Sequence, residues 1–116
     1  MATLTQDQQI IVNLLEPMQF DEISYGHLWK ELIFDLERQQ FTVLLVGWRG
    51  LTRFHSVLIH IAIRGDFVWL EEDNTELEIA NLLVERGIAK ERIVLGFQPP
   101  YKRPYTGFAT GEVQSV

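Results

Sequence analysis

The sequence predicts an α+β domain in which two helices pack over one face of a sheet. Two segments, residues 4–18 and 75–87, carry apolar side chains at the 3.6-residue spacing of a helix. The stretch between them is rich in β-branched and aromatic residues and is interrupted by short turn sequences. A short strand-like run, residues 93–97, follows the second helix. The predicted order is N-terminal helix, four-stranded antiparallel meander, second helix, short final strand and extended C-terminal tail.

The first helix is predicted over residues 4–18, with Pro17 suited to its end because proline disrupts a helix interior. The residues that share its apolar face are Leu4, Ile11, Leu15 and Met18. Residues 19–27 are predicted to form a loop.

Four strands are predicted, because neighbouring strands joined by short turns usually pair antiparallel. They are placed at residues 28–37, 41–48, 53–63 and 67–71. The turns are placed at 38–40, 47–50 and 64–66, the last with a Gly-Asp pair typical of hairpins. Alternation in the first strand places Asp35 on its polar face.

The second helix is predicted to start at Thr75, because Thr75 and Glu78 have the spacing of a capping box. Gly87 fits the position just past the helix end. The acidic run at residues 71–76 lacks the glycine and spacing of a calcium loop. We interpret it as charge placed near the helix start, where the helix dipole favours acids.

The totals favour one domain spanning residues 1–116. Net charge is −6, which opposes unaided binding to nucleic acid. The absence of cysteine excludes disulfides and thiolate chemistry. No signal peptide and no apolar run of about 18–20 residues is apparent, so we expect a soluble, cytoplasmic protein with no membrane partner.

No catalytic, metal or cofactor site is predicted. His55 and His60 are an odd number of residues apart, so in a regular strand they point to opposite faces and cannot share a metal unless a bulge intervenes. His60 and Asp35 are weak candidates for a carboxylate–histidine site, since neither has a nucleophile beside it in the sequence.

The C-terminal segment, residues 98–116, is predicted to be an extended arm with aromatic, proline and basic residues. Prolines reduce the ordering entropy of such a segment, and Tyr and Arg are frequent in interface hot spots. Two interpretations stay open: the arm packs on its own sheet, or it docks on another copy or another protein. The candidate interaction residues are Pro100, Tyr101, Lys102, Arg103, Tyr105 and Phe108.

Several motifs in this order resemble the XisI-like family, named after the fdxN element excision controlling factor. They are Tyr25-Gly26, Ile33-Phe34-Asp35, Val46-Gly47-Trp48, His60, Trp69, Thr75-Glu76, Ile79-Ala80, and residues 93–97 leading to Pro100-Tyr101-Lys102-Arg103. The resemblance implies an accessory factor for programmed excision of a DNA element, a site-specific recombination process, with a nuclease-like XisH-like companion. Gln98, the third weak candidate for a site residue, and Ala62 stand where the family commonly has histidine and aspartate, so the resemblance gives no support to an enzymatic function.

The leading hypothesis is therefore a non-enzymatic factor that binds an XisH-like protein and meets DNA indirectly, through its partners. An antitoxin-like restraint of that companion is one form of it. The alternatives are direct DNA binding by a self-associated form, using Lys102, Arg103, Arg49 and Arg53, and an enzyme. Unpaired sheet edges or apolar contacts of the C-terminal segment would also favour homo-oligomers.

Overall fold

The structure is a computed structural model that describes residues 4–20 and 27–111. Its helices are α1 (Gln6–Leu15) and α2 (Ile79–Glu85). Its strands are β1 (His27–Asp35), β2 (Gln40–Arg49), β3 (Thr52–Arg64), β4 (Phe67–Asp73) and β5 (Ile93–Leu95). Short 3-10 helices occupy Glu16–Phe20, Lys90–Arg92 and Pro100–Tyr105.

The five strands form one mixed sheet in the order β1-β2-β3-β4-β5. The first four strands pair antiparallel, which confirms the predicted meander. β5 pairs parallel to β4, with Val68 opposite Ile93. This direction follows from α2, because a parallel neighbour needs a crossover connection and α2 supplies it.

Both helices pack over the same face of the sheet, as predicted. Ile11 and Leu15 of α1 and Leu83 of α2 are fully buried in one apolar cluster. The sheet residues of this cluster are Phe41, Val43, Ile59, Ile61, Ile63, Val68, Leu70, Ile93 and Leu95. We call this the helix face and the other side the open face.

The first helix is shorter than predicted. Thr5 accepts a hydrogen bond from the backbone of Gln8, and the Gln8 side chain accepts one from the backbone of Thr5, so α1 begins with a capping box. Pro17 lies in the 3-10 helix Glu16–Phe20 that continues from α1. Of the predicted loop 19–27, its first two residues belong to that 3-10 helix and His27 belongs to β1, while residues 21–26 lie outside the described part.

The predicted turn at 47–50 is wrong for its first three residues, because β2 continues to Arg49 and the turn is Gly50-Leu51. Gly47 has φ +135° and lies against β1. A Cβ atom there would be 1.9 Å from the carbonyl oxygen of His27. Glycine at this position therefore reflects close strand packing and not a turn.

The predicted start of the second helix is also wrong, because α2 begins at Ile79 and Thr75 does not cap it. The carboxylate of Asp73 accepts a hydrogen bond from the Ile79 amide at 3.0 Å. It also accepts bonds from the amide and hydroxyl of Thr75. The end of β4 thus supplies the cap, and Glu78 is left at the helix entrance with a left-handed backbone of φ +55°.

Our interpretation of the acidic run changes accordingly. Glu71, Glu72 and Asp73 belong to β4, and no acidic residue lies in the first turn of α2. Only Asp73 hydrogen-bonds to the helix start. The predicted helix end is confirmed: Gly87 has φ +114°, and the Ile88 amide donates to the Leu83 carbonyl in a Schellman arrangement.

β3 is not a regular strand. Ile59 pairs with Val43 and Val57 pairs with Leu44, which leaves Leu58 as a bulged residue. The bulge shifts the alternation by one, so His55 and His60 lie on the same face instead of opposite faces. Their partners on β2, Val46 and Thr42, are four residues apart, about 13 Å along a strand, too far to share a metal ion.

Candidate interaction surface

The C-terminal segment folds back on its own domain over the residues that the structure describes, 98–111. A 3-10 helix, Pro100–Tyr105, replaces the extended arm that the sequence predicts there. The chain then returns to the sheet, where the Ala109 amide donates to the Ile93 carbonyl at 2.8 Å. Ala109 also forms a parallel bridge with Val94, so the segment covers the outer edge of β5.

Arg103 holds this segment in place. Its Nε donates to the Gln98 carbonyl at 3.0 Å, Nη2 to the Gly96 carbonyl at 3.3 Å and Nη1 to the Thr110 carbonyl at 3.5 Å. Its guanidinium carbon is also 5.2 Å from the centroid of the Trp69 ring. The guanidinium therefore joins both ends of the segment to β4, and Arg103 is a structural anchor.

Trp69 receives a second guanidinium. The Arg64 guanidinium carbon is 5.0 Å from the Trp69 ring, and its Nη2 lies 2.6 Å from the carboxylate of Glu71. The same carboxylate lies against Gly96, where a Cβ atom would be 2.2 Å from Oε1 of Glu71. Glycine at the end of β5 thus allows the chain to pass closely over this charged group.

The predicted interaction residues divide into inward and outward sets. Phe108 packs on the core, with the Lys90 ammonium 5.4 Å from its ring centroid. Tyr101 and Tyr105 point outward with 71% and 88% of their surface exposed. The other exposed members of the predicted set are Pro100 and Lys102. Two large, rigid aromatic side chains are therefore displayed on a segment held by Arg103.

The three weak candidates do not meet in one site. His60 Nε2 lies 2.7 Å from the side-chain oxygen of Gln40, and Gln40, not His60, is the strand partner of Asp35. Asp35 closes the β1–β2 turn: the backbone N–H of Arg38 donates to it and holds its pKa below the ordinary value, with a further contribution from the Arg38 side chain. Gln98 contributes only backbone atoms, donating to Leu95 and accepting from Arg103. Ala62 is fully buried opposite Trp69.

The basic residues suggested for DNA binding lie on two separate regions. Arg103 contacts Trp69, which pairs with Ala62 of β3, whereas Arg53 pairs with Trp48 near the other end of β3. Arg53 and Ala62 are nine residues apart, about 30 Å along a strand. One continuous basic surface is therefore not formed by these four cations.

A cavity of about 190 Å³ lies between α2, β4, β5 and the C-terminal segment. Leu70, Leu95, Phe97 and Phe108 form its apolar lining, and Asp73 and Glu78 bring two carboxylates to it. Sequence reasoning missed this cavity, since its walls are far apart in the chain. The pattern carried no signal for the left-handed conformation of Glu78 either.

Within residues 4–20 and 27–111, no group of three or more acidic or histidine side chains is arranged to hold a metal ion. None of the helices in this part of the chain is long and apolar enough to cross a membrane.

Comparison with known proteins places the chain in a family. The family model described as XisI protein matches residues 1–110. The chain belongs to the XisI family.

Two solved structures of the XisI family share this fold. A XisI-like protein from Anabaena variabilis is 37% identical, with a TM-score of 0.80, over 87% of this chain and 93% of that one. The fdxN element excision controlling factor XisI from Anabaena variabilis is 30% identical, with a TM-score of 0.76, over 89% of this chain and 94% of that one. No curated protein matches the chain. The resemblance that the sequence motifs indicate is thereby confirmed, as is the predicted fold class.

Proposed function

We propose that this XisI-family chain is a non-enzymatic accessory factor that controls the excision of a DNA element by binding a protein partner. A structural relative at 30% identity bears the description fdxN element excision controlling factor. The family match over residues 1–110 supports carrying the general role to this chain. The expected partner is an XisH-like protein, and contact with DNA is indirect.

The observation that carries the proposal is the display of Tyr101 and Tyr105 on an anchored segment. Tyrosine supplies a large contact area with few rotatable bonds, and it is enriched in interface hot spots. Because Arg103 and Phe108 already hold the segment to the sheet, little ordering entropy is lost on binding. Lys102 adds an exposed cation between the two tyrosines.

The charge of the chain agrees with such a role. A net charge of −6 attracts a basic, nucleic-acid-binding protein at long range and discourages direct contact with phosphate. An acidic subunit placed on a nuclease-like partner would restrain its access to DNA. This is the antitoxin-like form of the proposal.

The test is co-expression with an XisH-like companion, followed by size exclusion with light scattering. We expect a complex with the wild-type chain and at least tenfold weaker binding for Tyr101→Ala/Tyr105→Ala, about the effect of removing one or two hot-spot side chains. Deletion after Phe97 is a poorer test, because it also removes Phe108 and the Ala109 bridge to β5.

The matched control is Trp29→Ala, which removes a partly exposed aromatic side chain from the open face of the sheet. Equal binding by wild type and the double tyrosine variant would refute the proposed surface. No complex with wild type would refute the companion itself. A DNA cleavage assay of the companion, with and without this chain, then reports whether binding restrains it.

A further inference from the structure

Positive charge is concentrated in one hairpin of this acidic chain. Residues 40–65, which span β2 and β3, contain three arginines and no aspartate or glutamate. The hairpin therefore carries +3, and the remainder of the chain carries −9 to give the net −6. Arg49 and Arg53 lie at its tip, whereas Arg64 is at the other end of β3 and pairs with Glu71. β4 pairs with β3 only from Ile59 onward, so the end of the hairpin lies beyond the fourth strand.

The tip of this hairpin, residues 49–53, presents an apolar side chain between two cations. Leu51 is 98% exposed. The Arg49 guanidinium carbon lies 5.2 Å from the Phe54 ring, and that of Arg53 lies 5.5 Å from the Trp48 ring. Arg49 pairs with Thr52 and Arg53 pairs with Trp48, so the two arginines lie on opposite faces of the hairpin, one on each side of the turn that carries Leu51. Trp and Arg are enriched in protein interfaces, and the exposed Trp48 and the two arginines flank the apolar side chain of Leu51.

The cavity at α2 has complementary properties. It is open on one side, and its volume of about 190 Å³ exceeds the roughly 150 Å³ of an apolar cavity that holds benzene, so a leucine side chain fits in it. Asp73 and Glu78 line it, and the segment that carries them, residues 71–91, has seven acidic and two basic residues, a charge of −5. Asp73 pairs with Ile59, which is eight residues from Leu51 along the chain, so a chain's own tip is about 25 Å from its own cavity.

Glu78, which lines this cavity, has a backbone conformation that lowers the stability of the chain. Its left-handed backbone costs a non-glycine residue about 1–2 kcal/mol. Its carboxylate accepts a hydrogen bond from the Asn81 side chain, and no ion pair among the described residues includes it. Backbone strain of this kind is retained where a side chain has a further role.

We propose that the hairpin tip of one copy of this chain inserts Leu51 into the cavity of a second copy, with Arg53 beside Glu78. Each copy has one tip and one cavity, so the contact is heterologous and builds a ring or an open chain of copies. Opposite charge brings the two surfaces together, and burial of Leu51 supplies the apolar contact. This association is independent of the proposed function, since Tyr101 and Tyr105 take no part in it.

The first experiment measures self-association by light scattering and sedimentation at low salt. Protein concentrations up to about 1 mM are used, because even weak association is detected there. Arg53→Glu and Glu78→Arg each place like charges together, and we expect each to weaken association at least tenfold. The double variant R53E/E78R exchanges the two charges and should restore association to within about threefold of wild type. Lys102→Glu makes the same charge change as R53E on the C-terminal segment and should associate like wild type.

The second experiment mixes two variants that each keep one half of the contact. Leu51→Asp has a damaged tip and an intact cavity, whereas E78R has an intact tip and a damaged cavity. Each alone should be monomeric, and their mixture should form a one-to-one dimer that grows no further.

Three results would overturn the proposal. A wild-type chain that stays monomeric at about 1 mM excludes the contact at useful strength. Self-association of E78R alone would indicate a symmetric contact that does not use the cavity. The third result is that R53E self-associates like wild type but no longer binds DNA at low salt. This would assign the hairpin tip to nucleic acid instead.

Discussion

Arg103 stacks on Trp69, with 5.2 Å between the guanidinium carbon and the ring centroid, while the carbonyl groups of Gly96, Gln98 and Thr110 accept its hydrogen bonds. Through these contacts, Arg103 holds the proline-rich C-terminal segment against the sheet. The anchor also decides which neighbouring residues remain available to a partner.

Replacement of Arg103 should loosen this segment. We expect Arg103→Ala to lower the free energy of unfolding by about 2–3 kcal/mol, because charge-assisted hydrogen bonds and a cation–π contact are lost together. Arg103→Lys should recover less than half of this, since an ammonium group lacks the planar geometry to reach the separate carbonyls. Urea unfolding measures the change, and hydrogen exchange of the Ala109 amide reports local release of the segment.

The exposed neighbour Lys102 provides the control for this prediction. Lys102→Ala should change stability by no more than about 0.5 kcal/mol, as is usual for surface substitutions. Equal effects at Arg103 and Lys102 would contradict the anchoring role.

Asp73 should matter more for α2 than Thr75 does. Asp73→Ala removes the acceptor of the Ile79 amide and of both Thr75 donors, so we expect a loss of about 1–2 kcal/mol, as for other helix caps. Thr75→Ala should cost less than half as much, because the cap to Ile79 remains. Urea unfolding distinguishes the two; the reverse order would restore Thr75 as the capping residue.

Glu78→Gly should stabilise the isolated chain. Glycine adopts the left-handed conformation without the clash of a Cβ atom, so we expect a gain of about 1 kcal/mol in the free energy of unfolding. In the proposed contact, the Glu78 carboxylate lies beside Arg53 of a second copy. The same substitution removes this carboxylate and should therefore weaken self-association. Thermal unfolding of dilute protein separates the two effects, and Glu76→Gly is the control in the same loop. An E78G chain that is less stable than wild type would contradict the backbone strain at Glu78.

Asp35 should contribute to stability in a defined pH range. Its folded-state pKa is below the ordinary 3.8, first because of the Arg38 backbone N–H. The stabilisation is therefore complete above about pH 4 and is lost as the pH falls through the folded pKa. Asp35→Asn should show a flatter loss of stability below pH 4 than wild type, measured by urea unfolding at several pH values, with Glu37→Asn as the control at an exposed position. Parallel pH profiles for wild type and D35N would contradict this account.

Local patterns predicted most of the elements but not all of their boundaries. Thr75-Glu78 and Thr5-Gln8 both have capping-box spacing, yet only the second pair forms the box. The difference arises because Asp73, at the end of β4, already binds the Thr75 donors and the Ile79 amide. A sequence window cannot show which competing acceptor the sheet brings near.

The candidate surface was predicted as a set of residues but not as an arrangement. The sequence indicated Tyr101, Arg103, Tyr105 and Phe108 together, whereas the structure turns two of them inward and two outward. The inward pair is selected by Trp69 and the core, which lie elsewhere in the chain. The bulge at Leu58, which places His55 and His60 on one face, likewise depends on pairing with β2.

The order of helices and strands and the antiparallel meander follow from local sequence, because hydrophobic periodicity and turn residues act over short distances. The family follows from the order of short motifs along the chain. The tertiary structure decided the parallel pairing of β5, the return of the C-terminal segment and the cavity beside Glu78. Each of these depends on groups brought together from distant parts of the chain, such as Arg103 on Trp69 or Phe108 opposite Asp73. Such contacts form only once the sheet exists, so no local pattern encodes them.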